Sequence, residues 1–381
     1  MMGKRLLTGV HLWQGNEACA EGALGAGLTI FAGYPITPAT EISERLSVRL
    51  PAVGGTFVQG ADELDSLTIV IGAVWGGAKA MTATSGNGIC LMQESIGYAC
   101  LTETPLVIVD CQRAGPATGA ATKTMQGDFY TVRYGSNADY AIIALAPSSP
   151  QEMFDLTIEA FNMSEQYRVP VFVMADEAIA HMRERVVVPE YVDLFPRRKP
   201  TSPPEQFVPW RADPETMVPE MAHFGEGYRM PVPGLTHCEN GRPSDSYEVH
   251  SALVRRLVAK VEGPTARIAR YEAMFLDDAE IVVIAYGSVA RSAERAVRDL
   301  RDGGVKVGFL RLITLWPFPD ALIRQAVGKA RKVVVAEMSV GKLVREVERA
   351  LAGTVEVELL SKPGISLHTP REIISFVREV A

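Results

Sequence analysis

Five short runs in the first half of the chain constrain its fold more than any other feature. LTIFAGYP (28–35), KAMTATSG (79–86), PLVIVDCQR (105–113), DYAIIALAP (139–147) and VPVFVMADE (169–177) are rich in β-branched and aliphatic residues. Small-residue helical stretches lie between them, and Gly or Pro marks many of the junctions. Strand, turn, helix, strand is the rhythm of a parallel sheet covered on both faces. The sequence therefore predicts α/β architecture, with a doubly wound domain over 1–189. Residues 190–265 lose that rhythm in the Pro-rich PEYVDLFPRRKPTSPPEQFVPWRADPE and the turn-rich FGEGYRMPVPGLTHCENGRPSD, and end in a polar helix near VHSALVRRLVAKVE. An irregular excursion of that length has a job, either wrapping a partner or covering a site. Over 266–381 the runs EIVVIAYGS, VKVGFLRLI, KVVVAEMS and VEVELLS alternate with amphipathic stretches such as ARSAERAVRDLRDGG, predicting a second, smaller doubly wound domain.

Composition excludes several classes. With 47% hydrophobic and 22% charged residues the chain has the make-up of an ordinary globular protein. A net charge of −7 argues against a nucleic-acid or anionic-membrane surface. No apolar run approaches the roughly 20 residues of a membrane span, and the N-terminus lacks the h-region of a signal peptide. A cytoplasmic location is expected. The five cysteines, Cys19, Cys90, Cys100, Cys111 and Cys238, fall in no CxxC or close-set quartet, so buried free thiols and no metal of the chain's own are expected.

The candidate chemistry sits at strand ends. The turn YGS (286–288) is placed as a phosphate-binding turn would be, or is a plain strand–helix turn. No GxGxxG or GxxxxGK[ST] follows any run, and the six histidines are scattered. Glu63 opens a nearly uncharged helical stretch, LTIVIGAVWGGAKAM. It is either a capping charge, with Asp62 and Asp65 as competitors, or a carboxylate partly stripped of water, as a cofactor ring nitrogen needs. TSGNG (84–88) is a small-residue turn that lets backbone approach a ligand. Arg113 ends a buried run, where open α/β sheets place their ligands; it suits a carboxylate, or pairs with Asp110 or Asp128. YPITP (34–38) sets two prolines around Thr37, which either ties strand to helix or stiffens a functional loop.

Taken in order, GNEACAEGALGAGLTIFAGYPITPATEI, ADEL (61–64), AKAMTATSGNGICLMQE and VDCQRAGPATGAATKTMQGD resemble the alpha subunit of the 2-oxoacid:ferredoxin oxidoreductases. The resemblance continues through QYRVPVFVMADE, FGEGYRMPVPGLTHCENG and RLITLWPFPD, nearly the whole chain. It is nearer to the 2-oxoglutarate and branched-chain members than to the single-chain pyruvate enzymes.

The resemblance implies oxidative decarboxylation of a 2-oxoacid with thiamine diphosphate and coenzyme A, giving an acyl-CoA, CO2 and reduced ferredoxin. It further implies a pyrimidine-type thiamine-binding domain followed by a transketolase C-terminal-like domain. The diphosphate, its Mg2+ and a [4Fe–4S] cluster would belong to a separate beta subunit, with an (αβ)2 assembly expected. Glu63 matches the glutamate that bonds the aminopyrimidine ring and favours its imino tautomer, with Pro35, Ile36, Ser85 and Gly86 around the cofactor. Thr37 and Arg113 match residues that hold the substrate's carboxylate end, Thr122 a further substrate contact, and Lys123 a cation suited to a second carboxylate. Small side chains over 114–128 together with Lys123 lean towards 2-oxoglutarate, while branched-chain acids would also fit a roomy apolar pocket and pyruvate stays an alternative. The rival readings are a thiamine-dependent decarboxylase or transketolase-like protein without electron transfer, and a non-catalytic scaffolding subunit.

Overall fold

A computed structural model describes residues 4–381. Its strands, in chain order, are β1 (Gly9–Gln14), β2 (Ile30–Gly33), β3 (Thr56–Gln59), β4 (Ala80–Thr84), β5 (Leu106–Ala114), β6 (Ala120–Thr124), β7 (Ile143–Leu145), β8 (Pro170–Asp176) and β9 (Arg183–Val188). The second half adds β10 (Tyr271–Met274), β11 (Ile281–Ala285), β12 (Val307–Leu312), β13 (Thr314–Trp316), β14 (Lys332–Glu337) and β15 (Glu356–Ser361).

The large sheet runs β13-β7-β8-β5-β4-β2-β3, and β6 folds back on β5. From β7 to β3 every pairing is parallel, while β13 and β6 are antiparallel additions. Every residue of β5 and β8 is buried, which is why those runs read as continuous apolar sequence rather than alternating. The chain steps outward from β2 to β3 through the helix Thr40–Ala52, whose Ile42, Leu46 and Leu50 pack with Val107 and Val109 on one face. It returns from β3 to β4 through the helix Glu63–Trp75, whose Leu67, Val70 and Val74 pack with Ile108 on the other. That reversal makes β2 and β4 the switch point, where helices diverge and a crevice opens at the carboxyl ends of the strands.

Small residues let the helices close on the sheet. Gly22, in the helix Gly15–Gly25, faces the helix Pro150–Tyr167 so tightly that a Cβ there would stand 2.5 Å from the Phe154 carbonyl oxygen.

The second sheet runs β10-β12-β11-β14-β15, parallel except at its β10 edge. The two α/β layers are not strung apart. Strand β13 crosses over to pair with β7, Trp316 donates its indole N–H to the Phe129 carbonyl at 3.0 Å, and one core holds Ile108, Ile284 and Leu310 together. Strands β1 and β9 form a separate antiparallel ribbon. The 190–265 excursion lies along its own chain: Trp210 is buried against Trp75, ring centroids 5.9 Å apart, and Met221 is also fully buried. Among the described residues no helix is long and apolar enough to cross a membrane.

Candidate cofactor-binding site

Four neighbouring parallel strands, in the spatial order β5-β4-β2-β3, end on the predicted site residues. Arg113 ends β5, Ser85 and Gly86 follow β4, the loop Pro35–Ile36–Thr37 follows β2, and Glu63 begins the helix after β3. Residues up to 78 positions apart in sequence therefore line one edge at the switch point.

The loop after β2 is fixed from beneath. The fully buried Asn16 donates from Nδ2 to the Pro38 carbonyl at 2.6 Å and to Glu41 Oε2 at 2.8 Å. Glu41 in turn lies 3.4 Å from the His181 ring, whose other nitrogen is 3.0 Å from Glu177. From the side, Arg113 Nη1 donates to the Thr37 carbonyl at 2.8 Å. Pro35 is left exposed, with Ile36 and Thr37 half-buried. The stiffness written into YPITP thus presents the Thr37 hydroxyl from a loop whose carbonyls are already bound.

Glu63 is not the cap of its helix. The Asp62 carboxylate accepts from the Asp65 N–H at 2.7 Å, and Asp65 closes back on the Ala61 N–H at 2.9 Å. With capping done by its neighbours, the buried Glu63 carboxylate makes no hydrogen bond among the described residues. It lies against the turn after β4: a Cβ on Gly88 would come within 2.5 Å of Glu63 Cγ, so only glycine fits there. Ser85 is wholly buried with its Oγ unpartnered.

Arg113 is buried rather than a surface residue, and among the described residues it forms no ion pair with Asp110 or Asp128. Its Nη1 is committed to Thr37, and its buried Nε has no partner. The structure thus joins Arg113 to Thr37 and sets Glu63 beside the Ser85–Gly88 turn. Thr122 and Lys123 stand apart from those contacts, exposed on β6 without a side-chain hydrogen bond among the described residues, although Arg113 pairs in register with nearby Thr124.

The YGS segment is the plain strand–helix turn, the favoured of its two readings, and the Asp176 carboxylate accepts the Ser288 N–H there at 2.8 Å. One expectation requires correction. Of the cysteines only Cys19, Cys100 and Cys111 are buried; Cys90 is exposed, since its helix turns that face outward, and Cys238 is intermediate. Sequence reasoning also treated Asp110 and Asp128 only as possible partners for Arg113. Asp110 in fact has no exposed surface, because β4 and β8 flank it on both sides.

A ligand edge at the switch point of a doubly wound sheet, backed by a second α/β domain, defines a transketolase-like thiamine enzyme fold. A split-gene transketolase superposes on 96% of this chain with a TM-score of 0.56 at 14% identity, a likeness of fold alone. Residues 21–256 match the thiamine diphosphate-binding domain of pyruvate flavodoxin/ferredoxin oxidoreductase, and residues 279–373 match core domain II of pyruvate:ferredoxin oxidoreductase. The chain belongs to this oxidoreductase family. The 2-oxoglutarate synthase subunit KorA of Methanothermobacter marburgensis is 51% identical over 97% of this chain and 98% of its own. The ketoisovalerate oxidoreductase subunit VorB of Methanothermobacter thermautotrophicus is 38% identical over 97% of both chains. The 2-oxoglutarate:ferredoxin oxidoreductase of Magnetococcus marinus, solved with 2-oxoglutarate, coenzyme A and succinyl-CoA bound, superposes with a TM-score of 0.90 at 29% identity. That match covers 98% of this chain and 65% of the solved one.

Proposed function

We propose that this chain is the α subunit of a 2-oxoglutarate:ferredoxin oxidoreductase, which converts 2-oxoglutarate and coenzyme A to succinyl-CoA and CO2 with reduction of ferredoxin. The observation that carries the substrate is the 51% identity, end to end, to a 2-oxoglutarate synthase subunit, against 38% to a ketoisovalerate one. A β subunit supplies the diphosphate site with its Mg2+ and a [4Fe–4S] cluster, and the enzyme assembles as (αβ)2. Exposed Tyr34, Leu64 and Leu91 surround the strand-end edge, an apolar rim suited to a chain that completes the site.

The residues present suit the pyrimidine end of thiamine diphosphate. An unpartnered, buried carboxylate lies against a turn whose glycine leaves no room for a Cβ. Bound there, the cofactor supplies the nucleophilic carbon and the electron sink that cleavage of a 2-oxoacid requires. Glu63 holds the proton of the pyrimidine ring nitrogen through a direct hydrogen bond. Ser85, Gly86, Pro35 and Ile36 bound the ring, the first two from a turn where backbone can come close. Arg113 keeps its Nε and Nη2 edge for the reacting carboxylate, and a planar guanidinium fixes that group through two parallel hydrogen bonds. The Thr37 hydroxyl orients the same end, pre-positioned by a loop that has little entropy left to lose. Thr122 and Lys123 approach from the β6 arm, where the ammonium suits the distal carboxylate of 2-oxoglutarate.

The test is viologen reduction by the chain co-expressed anaerobically with its β subunit, offered 2-oxoglutarate, pyruvate or 2-oxoisovalerate with and without coenzyme A. Reduction dependent on 2-oxoglutarate and coenzyme A is expected. Preference for another acid would replace the substrate, and decarboxylation without reduction would replace the reaction.

A further inference from the structure

Strand β6 is the returning arm of a hairpin. It pairs with β5 at Thr124, opposite Arg113, and at Ala120, opposite Ala114, with an irregularity between the two. Residues 115–119 at the tip are exposed, as are Thr122 and Lys123 on the strand itself. A two-stranded hairpin is marginally stable without further packing. The position of those two side chains therefore depends on what holds the base of the arm.

The base is held by Gln126, just beyond β6 and with no exposed surface. A glutamine amide has two N–H donors and an acceptor oxygen, and here all are used. Nε2 donates to the Tyr286 carbonyl at 3.0 Å and to Asp176 Oδ2 at 3.4 Å, and Oε1 accepts the Met338 N–H at 3.1 Å. The Gln126 backbone N–H adds a further bond, to the Met338 carbonyl at 3.1 Å. Because a backbone N–H only donates and a carbonyl only accepts, the amide can sit only this way round.

Three strand ends meet at this one side chain. Asp176 ends β8 of the large sheet, whereas Tyr286 follows β11 and Met338 follows β14 of the second sheet. All three are buried. The approach is close: Gly287 has a φ of +57°, and a Cβ there would stand 2.6 Å from Asp176 Oδ2 and 2.9 Å from Gln126 Nε2. A fully satisfied polar group in a sealed interior fixes one arrangement, because a shift leaves several groups unpaired at once.

We propose that Gln126 is a positioning residue for the substrate: it latches the base of the β6 arm to the second α/β layer and so sets where Thr122 and Lys123 stand. The proposal rests on the substrate contacts given to those two residues above. It gives the second layer a part in selecting the acid, exerted through two strand ends rather than through a side chain of its own.

The assembled complex is compared as wild type, Gln126→Met, Tyr130→Phe, Thr122→Ala with Lys123→Ala, and Gln126→Met in that alanine background. Methionine replaces the glutamine at similar volume without its hydrogen bonds. Tyr130→Phe removes a different bond between the same layers, the one to Glu346 at 3.1 Å. Without substrate, hydrogen exchange over 120–124 should quicken about tenfold in Gln126→Met, the scale of one lost hydrogen bond, and keep the wild-type rate in Tyr130→Phe. In the viologen assay, KM for the preferred acid should rise about 5–10-fold in Gln126→Met with kcat within about twofold, as when uniform binding is lost. In the alanine background Gln126→Met should add nothing further to KM, since the contacts it positions are gone. Unchanged exchange in Gln126→Met, or equal quickening in Tyr130→Phe, would overturn the latch. Quickened exchange with KM unmoved, or a KM rise that persists in full in the alanine background, would overturn the positioning role. A wild-type KM in the alanine background itself would overturn the substrate reading of the arm and the positioning role with it, while the exchange rates still decide the latch. Should Gln126→Met not assemble, Gln126→Asn, whose amide falls one methylene short of its partners, takes its place in every comparison.

Discussion

Glu63 opens a helix that its neighbours Asp62 and Asp65 already cap, so its carboxylate is held in the interior without local employment. The side chain is buried yet its carboxylate binds nothing among the described residues, which leaves it free to serve a ligand. Replacing Glu63 by Gln preserves size and one hydrogen bond but abolishes proton exchange. Assembly with the β subunit should be unchanged, while turnover falls about 10²-fold or more, read in the viologen assay at saturating substrate. Unchanged turnover would remove Glu63 from the chemistry. Such a residue is legible in sequence because a charge at the mouth of an apolar helix is an anomaly. Arg113 is legible for the same reason. Asp110 was not: its one-letter context fits a strand end with solvent nearby as well as a sealed interior, and only the flanking strands β4 and β8 decide between them.

At the scale of elements, the five aliphatic runs all became parallel strands, because a run buried on both faces declares itself in composition. Among the strands missed are several whose stability comes from a neighbour. In β1 (GVHLWQ) exposure alternates, β6 (AATKT) is part-exposed and β10 (YEAM) largely exposed, and each exists because β9, β5 or β12 supplies a ladder. The support under YPITP was likewise invisible, since Asn16, Glu41 and His181 come from three separate helices. Hydrogen bonds that the His181 ring donates to Glu177 and Glu41 raise it from 6.5 to about 9. A raised imidazole stabilises the fold fully below its unfolded value and loses that contribution as pH rises through the folded one. Hydrogen exchange over 34–41 should therefore be slow below pH 6.5 and quicken as pH passes about 9. In His181→Gln the pH-dependent step should disappear; its persistence there would assign the step to another group.

At the scale of the molecule, the least regular segment is held by the most deeply buried charges. Glu103, with no exposed surface, binds Arg256 at 2.6 Å and Lys260 at 2.7 Å on the helix Tyr247–Glu262 that ends the excursion. Arg168 donates to the Glu103 carbonyl at 3.0 Å and to the Glu220 carbonyl at 3.0 Å, tying the middle of the excursion to the same point. Burial alone would raise the Glu103 carboxyl, but Lys260 and Arg256 overcome it and hold it well below the ordinary range. The sign follows from linkage: a depressed carboxyl contributes fully above its unfolded value of 4.5 and erodes as pH falls below it. Breaking such a pair from one side leaves a cation stranded in the interior, so Glu103→Gln should cost about 3–5 kcal/mol. Removing both charges, as in Glu103→Gln with Lys260→Met, should recover much of that loss, because the pair's desolvation disappears with its attraction. Chemical denaturation of the four chains of this cycle measures the coupling, and proteolysis within 200–245 reports whether the excursion lifts first. A double variant no more stable than Glu103→Gln would show that Arg256 and Arg168, rather than Lys260, carry the clamp.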